Sequence, residues 1–88
     1  MIAATVTLQN SVGLHARPAA TFVQTANRFV SRITVEKDSA EADAKSILDV
    51  LSLGAEQGSS LTIKVDGDDE ALAMKTLVDL VNSKFGEE

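Results

Sequence analysis

The chain has 88 residues, 13 acidic and 8 basic, for a net charge of −5. It has no cysteine, tryptophan or tyrosine, which excludes disulfides, thiol chemistry and thiolate metal sites and disfavours nucleic acid, a ligand that rewards basic patches and stacking rings. The length predicts one domain over residues 1–88, and a hydrophobic content of 44% supplies a largely aliphatic core for it.

Ile2 to Leu8 alternates, with Ala4, Val6 and Leu8 on one face, and predicts a half-buried strand. Its start carries neither the basic residues nor the long apolar run of a secretory signal. No stretch approaches the ~20 apolar residues of a membrane span. A soluble cytoplasmic protein without membrane insertion is therefore expected. Asn10 to Gly13 predicts loop. From Ala16 to Phe29 the period becomes helical, with Ala19, Phe22, Val23, Ala26 and Phe29 in one stripe and Arg17, Thr21, Gln24 and Arg28 in another. Pro18 falls in the first turn, where its missing N–H costs nothing.

Arg32 to Lys37 alternates again, with Ile33 and Val35 inward. Asp38 and Ser39 mark a turn, and Ala40 to Ala44 supplies a weak second arm of a hairpin, because alanine is a poor strand former. Ser46 to Leu53 predicts a short helix closed by Gly54. Leu61, Ile63 and Val65 alternate with Thr62, Lys64 and Asp66 in a further strand. Asp68 or Asp69 is expected to cap the last helix, whose stripe is Met74, Leu77, Val81 and Phe85. Gly86 to Glu88 is expected to fray, and Glu87 and Glu88 have no expected role beyond structure. The order is βαββαβα. Strands with one apolar face each predict an α+β fold, an antiparallel sheet with three helices on one face.

The chemistry concentrates in Gly13-Leu14-His15-Ala16-Arg17-Pro18-Ala19, where turn becomes helix. His15, just ahead of the helix, lies beside backbone N–H groups of the first turn, those of Ala16 and Arg17. These amides and the helix dipole favour an anion. Arg17 adds a planar guanidinium suited to phosphate oxygens. An imidazole nitrogen is a competent nucleophile near neutral pH. The same position also suits an exposed histidine that merely caps the helix. One histidine without cysteine or helically spaced carboxylates gives no metal site, and no cofactor is implied.

The segment from Gly13 to Ala19 resembles the active-site signature of the HPr family, the histidine phosphocarriers of the bacterial sugar phosphotransferase system. The resemblance continues through Ala44-Lys45-Ser46-Ile47-Leu48, Leu53-Gly54 and Gly58 and spans essentially the whole chain. It implies an open-faced β-sandwich with a four-stranded sheet. It implies that His15 is phosphorylated on its pros nitrogen by enzyme I at the expense of phosphoenolpyruvate. His15 would then pass the group to a IIA domain of a sugar permease, with Arg17 pairing to the phosphoryl oxygens. Such a protein is a cytoplasmic, monomeric relay without turnover of its own.

Ser46 precedes a helix and has Asp49 three residues on, close to a capping box. An N-cap role worth about 1 kcal/mol explains it fully. The resemblance adds regulatory phosphorylation there, with HPr kinase/phosphorylase and a catabolite-control transcription factor as partners. The helix that follows is apolar around most of its circumference. If Val50 and Leu53 face the core, then Ile47, Leu48 and Leu51 are partly exposed, either as a tilted helix or as a docking patch. Thr21 and Gln24 extend that partner face along the first helix. Val12 departs from the small polar residue frequent before the family's glycine, and Gln24 from a frequent basic residue. An alternative reading makes the chain a regulatory module, of the nitrogen branch or of carbon catabolite control, acting through Ser46 and the apolar helix.

Overall fold

Among the residues described in the computed structural model, 1–86, four strands form one antiparallel sheet: β1 (Ile2–Thr7), β2 (Arg32–Lys37), β3 (Ala40–Asp43) and β4 (Ser60–Asp66). Their order across the sheet is β1-β4-β2-β3. The helices are α1 (Ala16–Ala26), α2 (Ile47–Ser52) and α3 (Glu70–Asn82), followed by a short 3-10 turn, Lys84–Gly86. The α+β class and the βαββαβα order expected from the sequence are those observed. Glu87 and Glu88, part of the end expected to fray, lie outside the described residues.

Register explains the single core. Val6 pairs with Leu61, Ile63 with Ala4 and Val35, and Val35 with Ala42. Because side chains alternate along a strand, each of these rows lies on one face. That face buries Val6, Ile33, Val35, Ala42, Leu61, Ile63 and Val65. Phe22, Ala73, Leu77 and Val81 belong to the same core. The opposite face carries Thr5, Thr34, Thr62, Glu36 and Lys64. There Lys64 Nζ donates to Glu36 Oε2 at 3.1 Å. The poor strand former at residue 40 is overridden because β3 needs only the ladder to β2 and one buried residue, Ala42.

Two helix ends and one capping role differ from expectation. The first helix stops at Ala26 rather than Phe29, because Asn27 donates its side-chain amide to Val23 O at 2.9 Å and the chain turns there. Phe29 stays buried from that turn. The last helix stops at Asn82, and Phe85 reaches the core from the 3-10 turn at φ 58° instead of from the helical stripe. Asp69 stands at the N-cap of α3, but its side chain makes no cap hydrogen bond. Its carboxylate instead accepts from Val30 N at 2.9 Å, from Ser31 N at 3.0 Å and from the Ser31 hydroxyl. These bonds tie the start of α3 to the approach of β2.

Candidate functional site

The loop from Leu8 to His15 is built against the segment that joins α2 to β4. Leu8 N–H donates to Ser59 O, Gly58 N–H to Leu8 O, and Leu14 N–H to Ala55 O at 3.0 Å. Gly13 sits at φ 63°, and a Cβ there would meet Ala55 O at 2.5 Å. Only glycine accepts both the left-handed backbone and that approach. Leu14 then inserts fully into the core. The sequence therefore delivers the next residue, His15, to the surface at a fixed point.

His15 is the N-cap of α1, extended at φ −110° and ψ 166°, and its side chain makes no cap hydrogen bond. The ring is exposed and is not spent on capping. The next residue, Ala16, has φ +26°, a conformation that costs an alanine about 1 kcal/mol or more. Its amide and that of Arg17 precede the first intrahelical bond, Ala19 N–H to His15 O at 3.1 Å. Pro18 contributes no N–H at all. The first turn itself carries no acidic residue. Val12, His15, Ala16, Arg17, Pro18 and Gly86 line a shallow, open depression. Arg17 is exposed at its edge. Chemically, this is an imidazole and a guanidinium at a helix start, in a hollow open to the surface.

Ser46 is the N-cap of α2, and its Oγ accepts from Asp49 N–H at 3.4 Å, a long bond. The reciprocal half of a capping box is absent: the Asp49 carboxylate accepts from Asp43 N–H at 3.3 Å. On α2, Val50 is fully buried and Leu53 nearly so, while Ile47 and Leu51 are 37% exposed and Leu48 76%. The apolar patch anticipated from the helix pattern is thus on the surface. Ala20, Val23 and Gln24 of α1 line one groove with Ile47 of α2. Thr21 is half-buried on the same helix, and its carbonyl accepts from Thr25 Oγ1 at 2.8 Å. The site residues named from the sequence therefore fall into two neighbourhoods, the hollow at the start of α1 and the α1–α2 surface.

The sequence places Asn10 in a loop and gives it no further role. The residue is 1% exposed, and its side-chain amide donates to Gly13 O at 2.8 Å. An asparagine three residues before a glycine is an ordinary turn signal, so its burial could not be seen in the pattern. Among the described residues no group of three or more His, Cys, Asp or Glu could hold a metal, and no helix is long and apolar enough to cross a membrane.

A family model described as "PTS HPr component phosphorylation site" matches residues 2–83. The chain is 43% identical to phosphocarrier protein HPr of Treponema pallidum, over 100% of both chains. It is also 43% identical to the HPr-like protein Crh of Halalkalibacterium halodurans, covering 96% of this chain and 100% of that one. Among solved structures, HPr from Thermoanaerobacter tengcongensis superposes with a TM-score of 0.97 at 55% identity, covering 100% of this chain and 99% of that one.

Proposed function

The chain belongs to the HPr family of phosphocarrier proteins of the phosphotransferase system, and from that premise we propose that it relays phosphoryl groups through His15. Enzyme I, charged by phosphoenolpyruvate, is the donor, and a IIA domain of a sugar permease is the acceptor. The pros nitrogen of His15 attacks phosphorus in line. The new N–P bond forms as the donor's bond to phosphorus breaks, and the electron pair leaves with the donor. The Ala16 and Arg17 amides and the Arg17 guanidinium balance the charge on the phosphoryl oxygens. Transfer onward runs the same displacement with His15 as leaving group. No turnover belongs to this chain; positioning in the partner's site supplies most of the rate.

The observation that carries this reading is the exposed His15 ring, free of any cap bond, ahead of a first turn without acid. Incubation with enzyme I and phosphoenolpyruvate tests it. One acid-labile phosphate on the native chain and none on His15→Ala is the expected result; a labelled His15→Ala protein refutes the assignment.

The 1–88 chain acts as a single cytoplasmic domain, as a monomer, and meets its partners with Thr21, Gln24, Ile47, Leu48 and Leu51 around the hollow. The apolar exposure of α2 supports that surface. The same exposure, beside an N-cap serine, favours a second reading, regulation through Ser46. Phosphate there suits a helix start and leaves the fold intact, while its charge alters whatever docks on Leu48. HPr kinase/phosphorylase and a catabolite-control transcription factor are the partners of that role. Phosphoserine survives mild acid and phosphohistidine does not, which separates the two modifications.

A further inference from the structure

The peptide between Gly13 and Leu14 is held at both ends. Its carbonyl accepts from Asn10 Nδ2 at 2.8 Å, and its N–H donates to Ala55 O at 3.0 Å. Asn10 also receives Gly13 N–H on its own carbonyl at 3.2 Å. The orientation of a peptide plane sets ψ of the residue before it and φ of the residue after it. Here those angles belong to Gly13 and Leu14, the two residues that lead into His15. We infer that Asn10 is a positioning residue for phosphoryl transfer, fixing the Gly13–Leu14 peptide and through it the place of the His15 ring.

Stability does not account for this asparagine. It is 1% exposed, and its Oδ1 has no hydrogen-bond partner among the described residues. A buried acceptor left unpaired weakens a fold, so the Oδ1 offsets much of what the bond to Gly13 O contributes and the net stabilisation from this side chain is small. What the amide does supply is a donor to the Gly13 carbonyl. Val12, half-exposed in the same loop, has no side-chain group able to do so. A reacting atom displaced by about 1 Å loses roughly a hundredfold in rate, so a loop with one freed peptide is enough to matter. Ala16 at φ +26° follows immediately, and a strained residue holds its geometry only where its surroundings over-determine it. The doubly bound peptide is part of that surrounding structure.

The inference rests on His15 being the phosphoryl acceptor, and the test separates the two. Native protein, Asn10→Leu and Asn10→Ala are compared in phosphorylation by enzyme I and in thermal unfolding. Asn10→Leu, nearly isosteric, removes the unpaired Oδ1 but also takes this donor from the buried Gly13 carbonyl, and is expected to stay folded with a melting temperature within a few degrees of native. Its KM is expected to stay within about twofold of native while kcat falls about tenfold, and Asn10→Ala is expected to show the same split. Faster exchange of the Leu14 amide and shifted His15 ring resonances accompany it. Variants that fold and keep the native kcat would overturn the role of Asn10 and leave the relay intact. Two unfolded variants would make Asn10 a residue of the fold and overturn it as well. A native chain that takes no phosphate would remove both the relay and the inference.

Discussion

The carbonyl oxygen of Ala55 occupies the space that a side chain on residue 13 would need: a Cβ on Gly13 would lie 2.5 Å from it and 2.6 Å from Glu56 Cα. The contact is backbone against backbone, so no rotamer change relieves it. Gly13→Ala therefore meets both a steric clash and a left-handed φ of 63°. The expected cost is about 2 kcal/mol or more. Thermal unfolding reads it as a Tm lowered by roughly 8 °C or more for a domain of this size. A Tm unchanged within a degree or two would mean that the loop moves freely away from Ala55.

Asp69 predicts a pH dependence. The Ser31 hydroxyl, then the Val30 and Ser31 amides, bond to its carboxylate and hold its pKa below the ordinary value of 3.8. Hydrogen bonds to the charged form account for that direction. Stability from this group is complete above the unfolded pKa near 3.8 and is lost as pH falls through the lower folded value. Asp69→Asn is expected to lower stability at neutral pH and to flatten the acid limb of a plot of Tm against pH. Parallel acid limbs for native and variant would count against it.

The two sides of α2 separate packing from docking. Val50, fully buried, is expected to cost about 2 kcal/mol as Val50→Ala. Leu48, 76% exposed, is expected to change stability by less than about 0.5 kcal/mol as Leu48→Ala. If α2 is a partner surface, the same Leu48→Ala raises KM for enzyme I by about tenfold. Native kinetics from that variant would confine the docking face to α1.

Ser46 bonds the Asp49 amide at 3.4 Å, too long for a strong cap. Ser46→Ala is accordingly expected to lower stability by only about 0.5 kcal/mol, the low end for an N-cap. Ser46→Asp keeps a capping carboxylate and favourable dipole interaction, so its Tm is expected to match or exceed native. The regulatory reading adds that Ser46→Asp slows acceptance from enzyme I. Equal rates for Ser46→Asp and native protein would remove that reading.

Much of this molecule was legible in its sequence because one apolar face per element leaves a clear period. Ile33 and Val35, then Leu61, Ile63 and Val65, announce strands of a half-covered sheet, and all five are buried together. Helix ends were less legible. Asn27, which turns the chain after Ala26, reads as an ordinary polar residue on a helix face until its bond to Val23 O is seen. Asp69 looked like a cap because it precedes a helix, yet its partners lie 38 and 39 residues away, at Ser31 and Val30. Asn10 was invisible for the same reason, since its burial depends on the segment around Ala55 and Gly58 folding over the loop. Local patterns report periodicity and turn chemistry; they do not report which distant backbone closes over a side chain. His15 and Arg17 stood out because a single histidine, an arginine and a proline crowd one helix start.

An exposed imidazole at the start of α1 is proposed to carry the phosphoryl group. Phosphorus NMR of the chain incubated with enzyme I and phosphoenolpyruvate tests it most directly. A single phosphohistidine resonance is expected, of the pros isomer, that disappears in mild acid and is missing from a folded His15→Ala protein. A phosphate resonance on folded His15→Ala, or none on the native chain beside active enzyme I, would contradict it.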